Sequence, residues 1–349
     1  MRGPASYSRL VPSLTELFDR VPRAALAALP TPLERGPELP GGRRLWVKRD
    51  DLTGLGVGGN KVRKLEYLCG AALAAGADTL IAVGAAQSNH CRMTAAAGAV
   101  LGLEVHLVLS GDAPADGTYT GNQLLARGFG AQLHFTGAGD HEWGVLEMAR
   151  EALTETLAAD GRRPASLPIG GSTPVGALGY ARAMLEVADQ CDAVGVAPDL
   201  VVVTTSSGGT HAGLIAGQAL LASRGRNVPE VVGVAVARGV AGDTAPVTEL
   251  ARGALDLLGR AAEPLLEPRV DRRALGPDYG VPTPEGDAAI AWAARRGGWV
   301  LDRTYTGKGF AGMLMVAADQ AARFGPGGDI VWIHTGGLPA VFTPGGWPT

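Results

Sequence analysis

Cysteine is scarce in this chain: Cys69, Cys91 and Cys191 form no C-x-x-C pair and no zinc-ligand spacing. An odd number of thiols suits small, reduced, buried residues better than a disulfide framework. Charge is also sparse. Only 19% of residues are charged, with 31 basic against 34 acidic and a net charge of −3, so there is no basic footprint for nucleic acid. No run reaches the roughly 18 apolar residues of a membrane span, and Met1 to Leu14 lacks the apolar stretch of a secretory signal. A cytoplasmic protein that touches neither nucleic acid nor membrane is expected. The six histidines are scattered with no H-E-x-x-H, which disfavours a metal centre. Neither the G-K-[ST] ending of a P-loop nor a G-x-S-x-G nucleophile elbow occurs.

Glycine, by contrast, is abundant. The 52 glycines are about twice the usual ~7% share, while 46% hydrophobic residues is ordinary, so the chain is neither collagen-like nor disordered. The excess is expected in turns and tight loops. A length of 349 residues favours two domains, or one large α/β domain. From Asp78 onward short β-rich runs alternate with helix-length stretches: Thr79 to Val83, Val105 to Leu109, Gln132 to Phe135, Leu200 to Thr204, Val231 to Val236 and Ile330 to His334. This alternation predicts βαβ units and a mostly parallel sheet. Within Lys61 to Ala75, Val62, Leu65, Leu68 and Ala72 share one helical face, with Asn60 placed to cap the start and Gly76 the end. A Pro/Gly-rich passage, Pro164 to Pro174, breaks the alternation and reads as a domain crossing. The segment Glu263 to Pro284 is proline-rich and aperiodic, and loops of that length are often functional, which draws attention to Tyr279-Gly280-Val281-Pro282.

Gly54-Leu55-Gly56-Val57-Gly58-Gly59 matches the dinucleotide pattern G-x-G-x-x-G. However, Lys48 to Thr53 separates it from the apolar run Leu45 to Val47, so the glycines do not end a buried strand. A better reading attends to Lys61, at the first turn of a helix, where the dipole and neighbouring Arg63 and Lys64 disfavour the ammonium form as a Schiff-base lysine requires. Alone, such a lysine is more often a solvated charge. Ser206-Ser207-Gly208-Gly209-Thr210 follows an apolar strand and opens a helix, presenting backbone N–H groups to an anion such as phosphate. The plainer alternative is a glycine-rich βα turn. Gln87-Ser88-Asn89-His90 follows the strand Thr79 to Val83, where open α/β sheets bind ligands, although a capping turn has the same composition.

Taken together, Lys48-Arg49-Asp50-Asp51, Gly58-Gly59-Asn60-Lys61-x-Arg63-Lys64-Leu65-Glu66, Gln87-Ser88-Asn89-His90 and Gly209-Thr210-His211-Ala212-Gly213 resemble the D-cysteine desulfhydrase and 1-aminocyclopropane-1-carboxylate deaminase family. The likeness runs from about Leu45 to Phe342, with the motifs in order. These are pyridoxal-phosphate enzymes of the tryptophan-synthase-β fold type. The resemblance implies that Lys61 holds the cofactor covalently and that Asn89 meets its phenolic oxygen. Lys64 with Ser207, Gly208, Gly209 and Thr210 would bind its phosphate. Ser88 would act on the substrate face, with Ser88, Asn89, His90, Tyr279 and Tyr305 contacting a small amino-acid substrate. Tyr279 and Tyr305 would also be catalytic.

In the deaminase branch the residue after the second tyrosine is glutamate and the segment before the terminal Gly-Gly carries leucine; here they are Thr306 and Thr335, as in the desulfhydrase branch. Threonine can hydrogen-bond a pyridine nitrogen without supplying negative charge, which suits β-elimination of a good leaving group. Two departures, Cys91-Arg92-Met93 and Asp302-Arg303-Thr304-Tyr305, lie beside the site. They leave open the deaminase reaction, an L-cysteate sulfo-lyase, a biosynthetic elimination or replacement, or a non-catalytic small-molecule binding protein. The expected fold is α/β, with two open, mostly parallel twisted sheets flanked by helices. Residues 1–63 and 175–349 would form a large cofactor domain and 64–174 a small inserted one. The same resemblance implies a homodimer.

Overall fold

A computed structural model describes residues 13–348, so most of Met1 to Leu14 lies outside the described residues. The strands are β1 (Leu33–Arg35), β2 (Arg44–Lys48), β3 (Thr79–Gly84), β4 (Glu104–Leu109), β5 (Gln132–Phe135), β6 (Pro164–Leu167), β7 (Leu200–Thr205), β8 (Glu230–Ala235), β9 (Arg269–Asp271) and β10 (Asp329–Ile333). They form a six-stranded sheet, β1-β2-β10-β7-β8-β9, and a four-stranded sheet, β5-β4-β3-β6. Only β1 is antiparallel to its neighbour. The two open, mostly parallel sheets expected from the sequence are therefore present.

The central strands are buried and mostly apolar because helices cover both faces. Every residue of β3 and β7 is buried. On one face of the larger sheet Val201, Val203 and Val331 pack with Tyr180, Met184, Leu214 and Leu220. On the other, Trp332, Val202 and Val234 pack with Phe310, Ile290 and Trp299. The helix Lys61–Ala74 lays Val62, Leu65, Leu68 and Ala72 into the core of the smaller sheet, the face read from its periodicity.

Three local expectations are corrected. Asn60 makes no side-chain cap; its Nδ2 donates instead to Thr210 Oγ1 at 3.0 Å, a contact across 150 residues that local pattern cannot show. Pro164 to Leu167, read as an interruption, is strand β6 beside β3, an edge position where proline's missing N–H is tolerated. The glycines are not confined to turns. Gly179 and Gly213 lie inside helices Pro174–Ala193 and Gly209–Ala222, where backbones touch directly. A Cβ on Gly179 would stand 2.2 Å from the carbonyl oxygen of Arg63, and one on Gly213 would stand 2.3 Å from that of Ala177.

These approaches set the position of the Lys61 helix, so Gly179→Ala must push it outward. Overpacking of this kind costs about 1–3 kcal/mol. Urea denaturation should show that loss for Gly179→Ala. In contrast, Gly144→Ala, which meets open space in helix Trp143–Ala159, should hold or gain up to about 1 kcal/mol.

Candidate active site

The carboxyl ends of β3, β7 and β10 face a common cleft, the place where open parallel sheets bind ligands. Its walls bring together Lys61, Ser88, Asn89, His90, Ser207, Gly208, Thr210, Tyr279, Tyr305 and Thr335. Lys64, Gly209 and Thr306 do not line it and stand one layer behind.

Lys61 opens its helix and is held from two directions. The Asn60 backbone N–H donates to the Thr335 carbonyl at 3.0 Å, and the Asn60 side chain reaches Thr210. Burial pushes the Lys61 amine down to about 8. The depression expected from charged neighbours has a different cause, because Arg63 turns away into Asp50 at 2.8 Å and Glu186 at 2.9 Å. Lys64 lies against the glycine-rich turn. Its Nζ donates to the Gly170 carbonyl at 2.6 Å and to Ser172 Oγ at 3.0 Å, and it pairs with no carboxylate among the described residues. Burial and the nearby Lys61 hold its pKa well below the ordinary lysine value. Ser172, which sequence reasoning missed, ties this corner together. It donates to Ser207 Oγ at 2.8 Å and accepts from the Gly209 N–H at 3.2 Å. A Cβ on Gly209 would come within 2.6 Å of Lys64 Nζ, so only glycine lets the lysine reach the turn.

This corner suits an anion. Two lysines without anionic partners among the described residues flank the start of helix Gly209–Ala222, where free backbone N–H groups and the helix dipole favour negative charge. Thr204 Oγ1, Thr205 Oγ1 and both ring nitrogens of His90 are buried in the cleft wall without a partner among the described residues. Orphaned polar groups of this kind call for a ligand.

Elsewhere on the wall Ser88 caps helix Asn89–Leu101, its Oγ accepting from the Cys91 N–H at 3.2 Å. The capping and functional readings are therefore compatible, since the hydroxyl proton stays free to donate into the cleft. Tyr279 and Tyr305 approach edge-on, with centroids 5.8 Å apart and hydroxyls hydrogen-bonded to each other. Trp143, also missed, packs edge-on against Tyr279 at 5.0 Å and extends the aromatic wall to the smaller sheet's helices. Burial raises both phenol pKa values, so both remain protonated donors at neutral pH. Asp302 lines the cleft where residue type alone pointed to Thr306. Its carboxylate accepts from Thr306 Oγ1 at 2.7 Å and from the backbone N–H groups of Thr304, Tyr305 and Thr306. A negative group thus sits one hydrogen bond from Thr306, although burial pushes its pKa up.

Residues 24–336 match the family described as pyridoxal-phosphate dependent enzyme. The chain is 41% identical over 328 residues to a D-cysteine desulfhydrase of Klebsiella pneumoniae (strain 342), covering 93% of this chain and 96% of that protein. It is 40% identical over 337 residues to a D-cysteine desulfhydrase of Serratia proteamaculans (strain 568), covering 95% and 98%. A solved structure described as an ACC deaminase homologue superposes with a TM-score of 0.82 at 38% identity, covering 95% and 97%. A threonine deaminase isoform from Solanum lycopersicum, at 18% identity and a TM-score of 0.65 over 93% and 85%, shares the fold.

The depressed amine is testable without any ligand. Competitive acylation of the cofactor-free protein, followed by peptide mass spectrometry, should show Lys61 becoming reactive with a midpoint near pH 8, against an ordinary lysine value of 10.5. A midpoint above 10 would remove the argument for a buried, activated amine.

Proposed function

The chain belongs to the pyridoxal-phosphate-dependent enzyme family, and from that premise we propose that it is a lyase that eliminates the β-substituent of a small sulfur-containing amino acid, D-cysteine first among them. The observation that carries this reading is the cleft's composition. It gathers an activated lysine, a phosphate-fitting turn and two protonated phenols on the wall of one cleft.

The residues present fit pyridoxal phosphate. Lys61 would hold its aldehyde carbon, Asn89 its phenolic oxygen, and Thr335, with Thr306 behind the wall, its ring-nitrogen side. Ser207, Gly208, Gly209, Thr210 and Lys64 would hold its phosphate. When bound, the cofactor supplies the electron sink that lets an amino acid lose its α-proton. Lys61 Nζ would be the base that takes that proton. Ser88, Asn89 and His90 line the substrate face, and the Ser88 hydroxyl donates to the amino acid. Because their hydroxyls stay protonated, Tyr279 and Tyr305 serve as donors to the departing sulfur rather than as bases. Loss of hydrogen sulfide from D-cysteine leaves 2-aminoacrylate, and its hydrolysis gives pyruvate and ammonia. The type of residue at 335 and the two desulfhydrase relatives favour this substrate over the cyclopropane one.

The same reading extends to organisation. Residues 1–63 and 175–349 are taken as the large unit and 64–174 as the small one, with the Lys61 helix at their junction. Val57, Val100, Leu124 and Phe342 are exposed apolar side chains on elements that pack against one another, and a homodimer whose interface covers them is part of this reading. Among the described residues no helix is long and apolar enough to cross a membrane, and the three cysteines are free and buried; both fit a cytoplasmic enzyme.

The purified protein, incubated separately with D-cysteine, L-cysteine, L-cysteate and 1-aminocyclopropane-1-carboxylate, should release sulfide and pyruvate fastest from D-cysteine. Release of 2-oxobutyrate from the cyclopropane substrate with both cysteines inert would overturn the assignment. Borohydride should trap the cofactor at Lys61, and Lys61→Ala should abolish turnover. Tyr279→Phe and Tyr305→Phe should each lower kcat by about 10²-fold while keeping the trapped cofactor. Full activity in both would exclude the tyrosines from the reaction.

A further inference from the structure

A carboxamide has an acceptor at one end and donors at the other, and only the donor end can serve a negatively charged oxygen. Which end of Asn89 faces the cleft is decided by a chain of contacts that begins at Arg92. The Arg92 guanidinium is fully buried and can only donate, so every group facing it must accept. Its Nε donates to Asn122 Oδ1 at 2.8 Å, both terminal nitrogens donate to the Gly58 carbonyl at 3.1 Å, and Nη1 also reaches the Gly56 carbonyl. With Oδ1 taken, Asn122 must turn its Nδ2 the other way. That nitrogen donates to the Gln87 carbonyl at 2.9 Å and to Asn89 Oδ1 at 3.1 Å. Arg92 Nη2 meets the same Asn89 oxygen at 3.4 Å.

The Asn122 backbone is pinned as well, its N–H donating to Gln87 Oε1 at 2.8 Å. Asn89 Oδ1 therefore receives two donors from behind, while its Nδ2 has no partner among the described residues and the residue lines the cleft. Reversing either amide would set donor against donor. Arg92 pairs with no carboxylate among the described residues, so a buried cation lies behind Asn89, matched to negative charge on the cleft side.

We propose that Arg92 and Asn122 are positioning residues that orient the Asn89 carboxamide so that its Nδ2 donates toward the phenolic oxygen of the bound cofactor. This rests on the reading that Lys61 and Asn89 hold pyridoxal phosphate. Asn122→Asp removes that donor: the carboxylate still accepts from Arg92 but has no donor for Asn89 Oδ1, and it also cancels the buried charge. A donor to an anionic oxygen lets the neighbouring proton leave at lower pH, so losing it raises the pH midpoint of the cofactor's near-visible band.

In the holoenzyme, N122D should retain cofactor that borohydride traps at Lys61, raise that midpoint by about 1 pH unit and weaken cofactor binding about tenfold. Asn89→Ala should shift the midpoint the same way at least as far. The double variant of Asn89→Ala with Asn122→Ala, which adds no charge, should shift no further than Asn89→Ala alone, because both act through one contact. If N122D does not hold its fold, Asn122→Ala carries the same expectation without adding charge. A titration that overlays the parent's, or additive shifts in the double variant, overturns this proposal alone. A parent protein with no cofactor at Lys61 overturns the earlier reading and this one together.

Discussion

Three cations, Lys61, Arg63 and Lys64, fall within the first turn of one helix, at the end where the backbone dipole repels positive charge. The structure separates their fates. Arg63 is neutralised by Asp50 and Glu186, with Thr31 Oγ1 accepting a further bond at 2.9 Å. Lys48 of β2 also binds Glu186, and the Tyr180 hydroxyl donates to Asp50, so one charged cluster joins β2, the Lys61 helix and helix Pro174–Ala193. Removing one member of such a buried cluster leaves an uncompensated charge, at a cost of about 3–5 kcal/mol. With Arg63 committed to the scaffold, Lys61 and Lys64 face the cleft side without anions among the described residues. The unfavourable charge density at the helix start is relieved partly by burial, which lowers both amine pKa values, and partly by any anion that binds there.

Close backbone contact is what makes this separation geometrically feasible. Helix Pro174–Ala193 carries Glu186 to Arg63 and, through Gly179, lies directly against the Arg63 carbonyl. The same helix meets Gly213 of the helix that begins at the glycine-rich turn. The Lys61 helix and the anion corner are therefore positioned by one shared layer of helices, and Ser172, just before that layer, hydrogen-bonds to Lys64 of the first and Ser207 of the second. Small residues inside these helices have a role that the loop glycines lack, because they bring rigid elements to a spacing that side chains would forbid.

Much of this is legible in the chain. Short apolar β-rich runs and a period-3.6 pattern locate the inner strands of both sheets and the Lys61 helix to within a residue or two, because fully buried parallel strands leave apolar runs. Lys61, Ser88, Asn89 and the Ser207 to Thr210 turn stand out because helix starts and strand ends concentrate unpaired backbone groups. What escapes such reading depends on distant pairing. Asn60 has the composition of a cap, yet its partner is Thr210. Trp143, Ser172 and Asn122 belong to segments with no local signature, and their importance lies in what faces them. Thr306 is recognisable by residue type, but its hydroxyl points to Asp302, whose place on the wall follows from the turn that precedes the helix.

Asp302 also changes how the electrostatics of the cleft should be understood. Residue type alone describes a pyridine-facing end without negative charge, made of Thr306 and Thr335. The structure adds a carboxylate whose lone pairs are taken by three backbone N–H groups and one hydroxyl. Each donated bond favours the ionised form and opposes the burial that raises its pKa, so the group is held by local geometry rather than by a cation. A charge satisfied in this way is muted: its field is partly cancelled by the dipoles that hold it, and Thr306 passes on polarity without offering a proton acceptor of carboxylate strength. The cleft wall thus combines an unpaired lysine, an amide held by Asn122, a muted carboxylate and two protonated phenols. The two tyrosines, distant in sequence and joined by their hydroxyls, add protonated donors to the same wall.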